Sequence, residues 1–388
     1  MPTSHELEKA AAIKDRLIAF RRELHQYPEL SMAEYETTAR IKRWVQEIGL
    51  TVVKIDTPVG VVAEVIGAKP GPTIALRADI DALPVTEETG YPFASQIPGR
   101  MHACGHDFHT AAMLGAAILL QEQAAEMSGR IRFIFQPGEE QAVGARALID
   151  AGALQGVKAI LGMHNKPDLP VGTIGLRPGP LMANVDKFAL RIIGKGGHAA
   201  IPDSAVDPIT AAAGVISGLQ AVISRNISPL DQAVISVCHM QAGSIWNVIP
   251  DEAFLEGTVR TFLAATRAKV SEMMARTAQG IAAGYGAKAE FVWTSCLPCV
   301  NNDARLIELM AAAATEVGLR VEEARQSLGG EDFALYQEQV PGCYIWMGTS
   351  GTEEWHHPRF TLNEDALPLS AALFAVAGQS ALRLFERQ

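Results

Sequence analysis

Basic residues are in deficit: 33 lysines and arginines face 43 aspartates and glutamates, a formal net charge of -10 at pH 7, and no local run of lysine and arginine offsets it. Such a surface repels a phosphate backbone and an anionic membrane, so neither nucleic acid nor a membrane is expected as a partner. Long unbroken apolar runs are also missing. The most hydrophobic stretches, 111–120 and 366–384, are short or interrupted by Pro368, Ser370, Gln379 and Ser380, and read as core helices rather than spans. The amino terminus has no basic segment followed by an apolar core and a small-residue cleavage site, so no secretion signal is read and a cytoplasmic location is expected. Cysteines number only five, an odd count scattered over 388 residues, which favours reduced thiols over a disulfide framework. Internal repeats and low-complexity tracts are absent from the sequence.

What the chain does have is apolar residue, 48% of its composition, enough to bury more than one core, because single cores stop growing well below this length. Two domains are therefore expected. Apolar residues recur at helical spacing over 7–24 and over 33–48, where Gly49 stops the pattern. β-rich runs at 59–66 and 73–76 flank Lys69-Pro-Gly-Pro72, which is turn chemistry. Strands and helices then alternate: helix 108–122, which Asp107 can cap, strand 130–135, helix 142–151 and strand 159–163. That alternation predicts an α/β sheet covered by helices. Leu176-Arg-Pro-Gly-Pro-Leu-Met182 reads as a linker. Beyond it come strand 187–193, helix 205–223, strands 233–241 and 253–262, helix 267–283 and strand 287–293, the order of a split β-α-β two-layer module. Ser295-Cys-Leu-Pro-Cys-Val-Asn-Asn302 reads as the return linker, before helix 304–317, strand 342–347 and a final helix. The expected organisation is a discontinuous domain, 1–182 and 294–388, interrupted by an inserted α+β domain, 183–293.

Ligand-type residues gather at the ends of these strands. In His102-Ala-Cys-Gly-His106-Asp107, alternate residues of an extended segment point the same way, so Cys104 and His106 can face one site. Thiolate and imidazole are metal ligands of matching softness. A buried thiol with a capping histidine, or a Cys104 nucleophile with a histidine base, would use the same residues. Gln136-Pro-Gly-Glu139-Glu140 follows an apolar strand. Neighbouring side chains diverge there, so one carboxylate can ligate a metal while the other moves a proton of an attacking water. His164 ends the strand 159–163, and Arg77-Ala-Asp79-Ile-Asp81 follows 73–76; either aspartate can orient a liganding histidine or bind metal itself. His356-His357-Pro358 offers one more ligand, since only one of two adjacent histidines is expected to face the metal. Open α/β sheets bind ligands beyond their carboxyl strand ends, where several of these residues fall.

Seven segments in order resemble the motifs of the dinuclear metallo-amidohydrolases that include aminoacylases, hippurate hydrolases and plant auxin-conjugate hydrolases. They are Arg22-Glu-Leu-His25-Gln-Tyr-Pro28-Glu, Leu76-Arg-Ala-Asp-Ile-Asp81-Ala-Leu-Pro84, Met101-His-Ala-Cys-Gly-His-Asp107, Gln136-Pro-Gly-Glu-Glu140, Gly194-Lys-Gly-Gly-His198, Gly329-Gly-Glu-Asp-Phe333 and His356-His-Pro358. The resemblance covers nearly the whole chain. It implies a mixed-sheet catalytic domain of the zinc aminopeptidase type with an inserted α+β lid and dimerisation domain, and hydrolysis of the amide bond of N-acyl amino acids. It further implies Cys104, His106, Glu140, His164 and His356 as ligands of two divalent ions, zinc or manganese with cobalt or nickel as alternatives, and Glu139 as the general base. Asp81 resembles the aspartate that orients a metal-binding residue in the wider peptidase group, whose ligand histidine two residues earlier is Asp79 here. His198 resembles a histidine that reaches into the partner subunit's site to stabilise the oxyanion of a tetrahedral intermediate, which implies a homodimer or homotetramer. Asn247 and Arg260 resemble residues that hold the substrate carboxylate, a task that suits arginine's planar fork.

The same scaffold also serves dipeptidases and carboxypeptidases, and a non-catalytic small-molecule-binding dimer would keep it too, although such a dimer has no use for a base beside metal ligands. Cys296-Leu-Pro-Cys299 has the spacing of a redox pair, but no second pair and no thioredoxin-like strand–helix context accompanies it, so packing thiols are expected.

Overall fold

The computed structural model describes residues 5–386. The first four residues, on which the reading of no secretion signal partly rests, lie outside that range. Two compact units emerge: a larger one of Met1–Leu181, Asn301–Arg325 and Glu331–Gln388, and a smaller one of Met182–Val300 and Gln326–Gly330.

The larger unit is built on an eight-stranded mixed sheet in the order Thr51–Val53, Val61–Ile66, Ser128–Gln136, Lys69–Asp79, Val157–Lys166, Gly342–Gly348, Thr173–Leu176, Arg320–Glu323. The four central strands, from Ser128–Gln136 to Gly342–Gly348, run parallel. Antiparallel partners flank them on both sides. Central parallel strands covered on both faces read as continuous apolar runs, and Gly342–Gly348 is buried at every position. Because these four strands are parallel, their carboxyl ends meet along one edge of the sheet.

Helix His106–Glu122 is buried from His106 to Leu120 on all its faces, the behaviour of a helix apolar all round. It packs against Lys14–Gln26 and Ala366–Glu386. The latter helix is long and apolar enough to cross a membrane, but it is largely buried in this core. Truncating fully buried side chains such as Phe108 or Leu114 to alanine costs about 2–5 kcal/mol.

The smaller unit is a four-stranded antiparallel sheet, Ala233–Ala242, Glu252–Thr261, Asn184–Ile193, Lys288–Leu297. Helices Pro208–Asn226 and Ala264–Gly284 pack on one face of it and share a second apolar core with Phe188, Leu190 and Ile192. A separate two-stranded ribbon pairs Gly197–His198 with Val248–Ile249.

Several boundaries differ from those read in the sequence, each for a local reason. The helix expected over 7–24 is two, His5–Ala12 and Lys14–Gln26, because the Ile13 N–H bonds Ala10, three residues back rather than four. Helix Pro208–Asn226 starts later than 205: Asp207 accepts the N–H groups of Ile209 and Thr210, and Pro208 takes the first helical position. Asp107 does not cap its helix. The helix begins at His106 after a left-handed Gly105, and Asp107 lies inside its first turn, turned into the core. The strand expected to end at 293 continues, past an irregularity between Ser295 and Leu297, to a pairing of Leu297 with Val185. Cys296 therefore lies on an exposed strand rather than in a linker, and the smaller unit extends to Val300.

Candidate metal centre

The carboxyl edge of the parallel strands carries the cluster. Glu139 and Glu140 follow Ser128–Gln136, Asp81 follows Lys69–Asp79, and His164 lies near the end of Val157–Lys166. Cys104 and His106 bracket the start of the buried helix, and His356 lies in the loop after Gly342–Gly348. Five overlapping groups have ligand atoms close enough to share an ion: Cys104, His106 and His164; Cys104, Glu140 and His356; His106, Glu139 and Glu140; Asp79, His106 and His109; and Glu139, Glu331 and Asp332.

Hydrogen bonds fix the histidines as ligands need to be fixed. His106 Nδ1 lies 2.9 Å from the Asp81 carbonyl oxygen and 3.1 Å from its Oδ1. A carbonyl only accepts, so Nδ1 carries a proton, which leaves Nε2 as the ring nitrogen facing the cluster, 3.8 Å from Glu140 Oε1. His164 repeats the device: Nδ1 donates to the Asn165 carbonyl at 2.8 Å, leaving Nε2 3.4 Å from Cys104 Sγ. Asp81 is fully committed to support, since its other oxygen accepts the Ser31 hydroxyl at 2.6 Å and the Glu140 N–H at 3.0 Å. This is how outer residues orient metal ligands.

Of the two adjacent histidines, His356 lies with Nε2 3.5 Å from Glu140 Oε1, whereas His357 accepts the N–H of Arg359 within its own turn. His356 has a φ of 67°, a strained conformation for a non-glycine residue that marks functional positions. Its side chain is 55% exposed and so forms the solvent side of the cluster. Gly105 sits where any Cβ would lie 2.5 Å from the Asn165 side chain, with φ of +82°; only glycine lets Cys104 and His106 approach this way.

The donor set fits divalent ions. His106 Nε2 and Glu140 Oε1 are buried and have no hydrogen-bond partner among the described residues, and such orphans call for a ligand. Burial alone would lower the His106 pKa, yet Asp79, Asp81 and Glu140 outweigh it and push the imidazole up to about 10. That is the field of a site built for cations. Burial, helped by His109, holds His164 well below its ordinary value and so neutral, the form that ligates. Burial and then Glu140 and Glu139 push the Cys104 thiol well up. A nucleophilic cysteine requires the opposite shift, so a metal-free cysteine hydrolase finds no support here.

Asp79 lies beside the cluster but is spoken for. Its Oδ1 is 2.6 Å from His109 Nδ1 and its Oδ2 accepts from Arg77 at 2.6 Å. His109 is committed as well, because its Nε2 accepts the Asn165 N–H at 2.9 Å. Arg77, wholly buried, also donates to Gln136, Glu331 and Asp332, and the Tyr344 hydroxyl donates to Glu331 at 2.6 Å. This network escaped the sequence reading. The Glu331–Asp332 pair was seen only as part of a motif, and nothing local announces that Arg77 and His109 face it.

Glu139 has no such commitment. It is half-buried, and its carboxyl is pushed well up by burial first and then by the negative charges of Glu331, Asp332 and Glu140. The remaining expected site residues lie in the smaller unit. His198 is exposed on the two-stranded ribbon, where its Nδ1 accepts the Ala200 N–H at 3.0 Å. Asn247 is its neighbour: the Asn247 carbonyl accepts the Ala199 N–H, and its side-chain oxygen is buried with no hydrogen-bond partner. Arg260 is on the central strand Glu252–Thr261 and donates to the carbonyls of Leu328 and Val259. Arg260 is thus away from the ribbon, at the other end of the sheet.

Comparison with known proteins agrees with this geometry. The model of peptidase family M20/M25/M40 matches residues 75–378. An N-acetylcysteine deacetylase of Bacillus subtilis is 58% identical, over 94% of this chain and 96% of that protein. A thermostable carboxypeptidase of Saccharolobus solfataricus is 37% identical, over 94% and 95% respectively. The crystal structure of a Bacillus subtilis protein described as a dinuclear metal-binding peptidase of the M20 family superposes with a TM-score of 0.89 at 53% identity, covering 96% of this chain and 99% of that one. The chain is therefore a metal-dependent amidohydrolase and belongs to peptidase family M20/M25/M40.

Proposed function

We propose that the protein deacylates N-acyl amino acids, with Glu139 as general base. The observation that carries this reading is the uncommitted, half-buried Glu139 carboxylate adjoining Glu140 within a cluster of thiol, imidazole and carboxylate ligands. Cys104, His106, Glu140, His164 and His356 would hold two divalent ions. When bound, such ions polarise an amide carbonyl and make a neighbouring water more acidic. Glu139 takes the water's proton and delivers it to the leaving nitrogen, a role suited to a carboxyl raised above its ordinary range. Asp81 keeps His106 in the ligating tautomer. His198 donates to the oxyanion, while Asn247 and Arg260 receive the substrate carboxylate.

The dimensions of the smaller unit support a dimer. Asp251, which accepts the Gly196 N–H beside His198, and Arg260 lie about nine residues apart on one extended segment, roughly 30 Å at the strand rise. One amino-acid-sized substrate cannot span that. If His198 and Arg260 serve the same substrate, they come from two copies, with the inserted unit as both lid and dimer surface.

N-acetyl amino acids are the first substrates to try, since N-acetylcysteine is named for a relative of high identity; dipeptides distinguish the peptidase reading that the carboxypeptidase relative brings. Glu139→Gln is expected to lower kcat by about 100-fold or more while both ions stay bound, as measured by metal analysis alongside turnover. A fully active variant removes Glu139 as the base.

A further inference from the structure

The turn that carries Glu139 is held from outside by two carboxylates. On one side of Glu139, the Gly138 N–H donates to Glu34 Oε1 at 2.8 Å; on the other, the Glu140 N–H donates to Asp81 Oδ2 at 3.0 Å. Both acceptors are buried. The turn itself is unusual: Gly138 has φ of +62° and Ala142 of +56°, and the Ala142 N–H closes back on the Glu139 carbonyl at 2.7 Å. Met32, also left-handed at 62°, lies so close that a Cβ on Gly138 would be 2.7 Å from its sulfur. Such a conformation persists only where its surroundings over-determine it. The segment from Ser31 to Glu34 supplies those surroundings, with the Ser31 hydroxyl on Asp81 and the Glu34 carboxylate on Gly138.

For fold stability alone Glu34 is a poor choice. It is fully buried, and its second oxygen has no hydrogen-bond partner, an arrangement that costs free energy compared with a neutral acceptor of the same shape. We propose that Glu34 is a positioning residue for Glu139: with Asp81 it forms a two-point clamp on the peptide units that flank the base. This rests on the assignment of Glu139 as the base. Misplacement of a reacting group by about 1 Å can cost a hundredfold in rate, so the clamp acts on kcat rather than on substrate binding.

The test compares Glu34→Ala, Glu34→Asp and Glu34→Gln with Glu139→Gln in the full chain. The readouts are bound metal, kcat and KM on an N-acetyl amino acid, and hydrogen–deuterium exchange of the peptide covering 135–143. The aspartate is one methylene too short to reach Gly138, and it carries the test if the alanine variant does not fold. Both shortened variants are expected to lose kcat by about tenfold to a hundredfold with KM within about twofold, to keep both ions, and to exchange faster over 137–142. Glutamine, whose oxygen can accept the same N–H, recovers most of kcat and of the protection. Wild-type kcat and exchange in the alanine and aspartate variants, with Glu139→Gln inactive, overturn the clamp and leave the base standing. Metal loss in step with kcat in all three, glutamine included, makes Glu34 a part of the fold and overturns the clamp too. An active Glu139→Gln overturns the base itself, and with it the purpose of the clamp.

Discussion

A buried carboxylate with one oxygen unmatched leaves a signature in how stability depends on pH. Burial first, and then the charge of Asp81, push Glu34 up to about 7 from an ordinary value of 4.5. Between those values the folded protein binds a proton that the unfolded chain does not, so this group's contribution to stability falls as pH rises through that window and stays lost above it. In the metal-free protein, Glu34→Gln is expected to match the wild type near pH 4 and to exceed it by up to about 3 kcal/mol at pH 8. Urea unfolding at the two pH values measures this, and equal stability at both would mean that the carboxyl ionises normally. Asp79 offers a second test at the same scale. Both its oxygens are taken by Arg77 and His109, so Asp79→Asn is expected to retain both ions while Cys104→Ser loses affinity for at least one. Metal analysis after dialysis separates the two, and loss of an ion from Asp79→Asn would make it a ligand. That both oxygens of an aspartate in a ligand-like position are already hydrogen-bonded could not be read from the sequence, because their partners come from 2 and 30 positions away.

Among the elements, helix His106–Glu122 matters most, because its first turn carries a candidate ligand and its neighbour Asp107. Asp107 is buried and shared by Arg21 at 3.1 Å and His25 at 2.8 Å, and His25 passes on to Glu87 at 3.1 Å. Burial opposes the charge of Asp107, but Arg21 and His25 outweigh it and hold the carboxyl well below the ordinary range. Asp107→Ala is expected to destabilise the larger unit by about 3–5 kcal/mol at pH 7, since it strips one partner from buried cations. A depressed carboxyl contributes stability above its unfolded value, so the gap between variant and wild type should narrow as pH falls below about 4. Unfolding at pH 7 and pH 3 checks both statements, and a variant as stable as wild type at pH 7 would show the network to be dispensable. Much at this scale was legible in advance. The apolar runs at 130–135 and 159–163 announced central strands, and the candidate ligands read just past them, Glu139, Glu140 and His164, fall in groups of neighbouring side chains. Thr51–Val53, Thr173–Leu176 and Arg320–Glu323 were not foreseen: three or four residues are too few to show a period, and their pairing is decided by the neighbouring strands rather than by their own pattern. Asp107 was misread because a residue that fits an N-cap by type was claimed by Arg21 and His25, both more than 80 positions away.

For the whole molecule, the separation of His198 on its ribbon from Arg260 near the far end of the strand Glu252–Thr261 makes the proposed dimer testable without a structure of it. His198→Ala and Arg260→Ala are each expected to be nearly inactive alone. Unfolded together and refolded as a mixture, they should regain roughly a quarter of wild-type activity, because half of the dimers are mixed and one of the two sites in each is intact. No recovery on mixing would place both residues in one subunit's site or outside the site altogether. The chain divides into two compact units, and the assignment of 326–330 to the smaller one was not readable from the sequence, because it depends on contacts such as that of Ala183 with the carbonyls of Ser327 and Gly329.

The central claim, that a metal cluster with Glu139 hydrolyses the amide of an N-acyl amino acid, is tested most directly by one measurement. Protein of known metal content is assayed on N-acetyl and N-benzoyl amino acids and on dipeptides, before chelation, after it, and after restoration of zinc, manganese, cobalt or nickel. Cleavage of an acyl amino acid that disappears on chelation and returns with about two ions per chain is the predicted result; cleavage that survives complete removal of metal would contradict it.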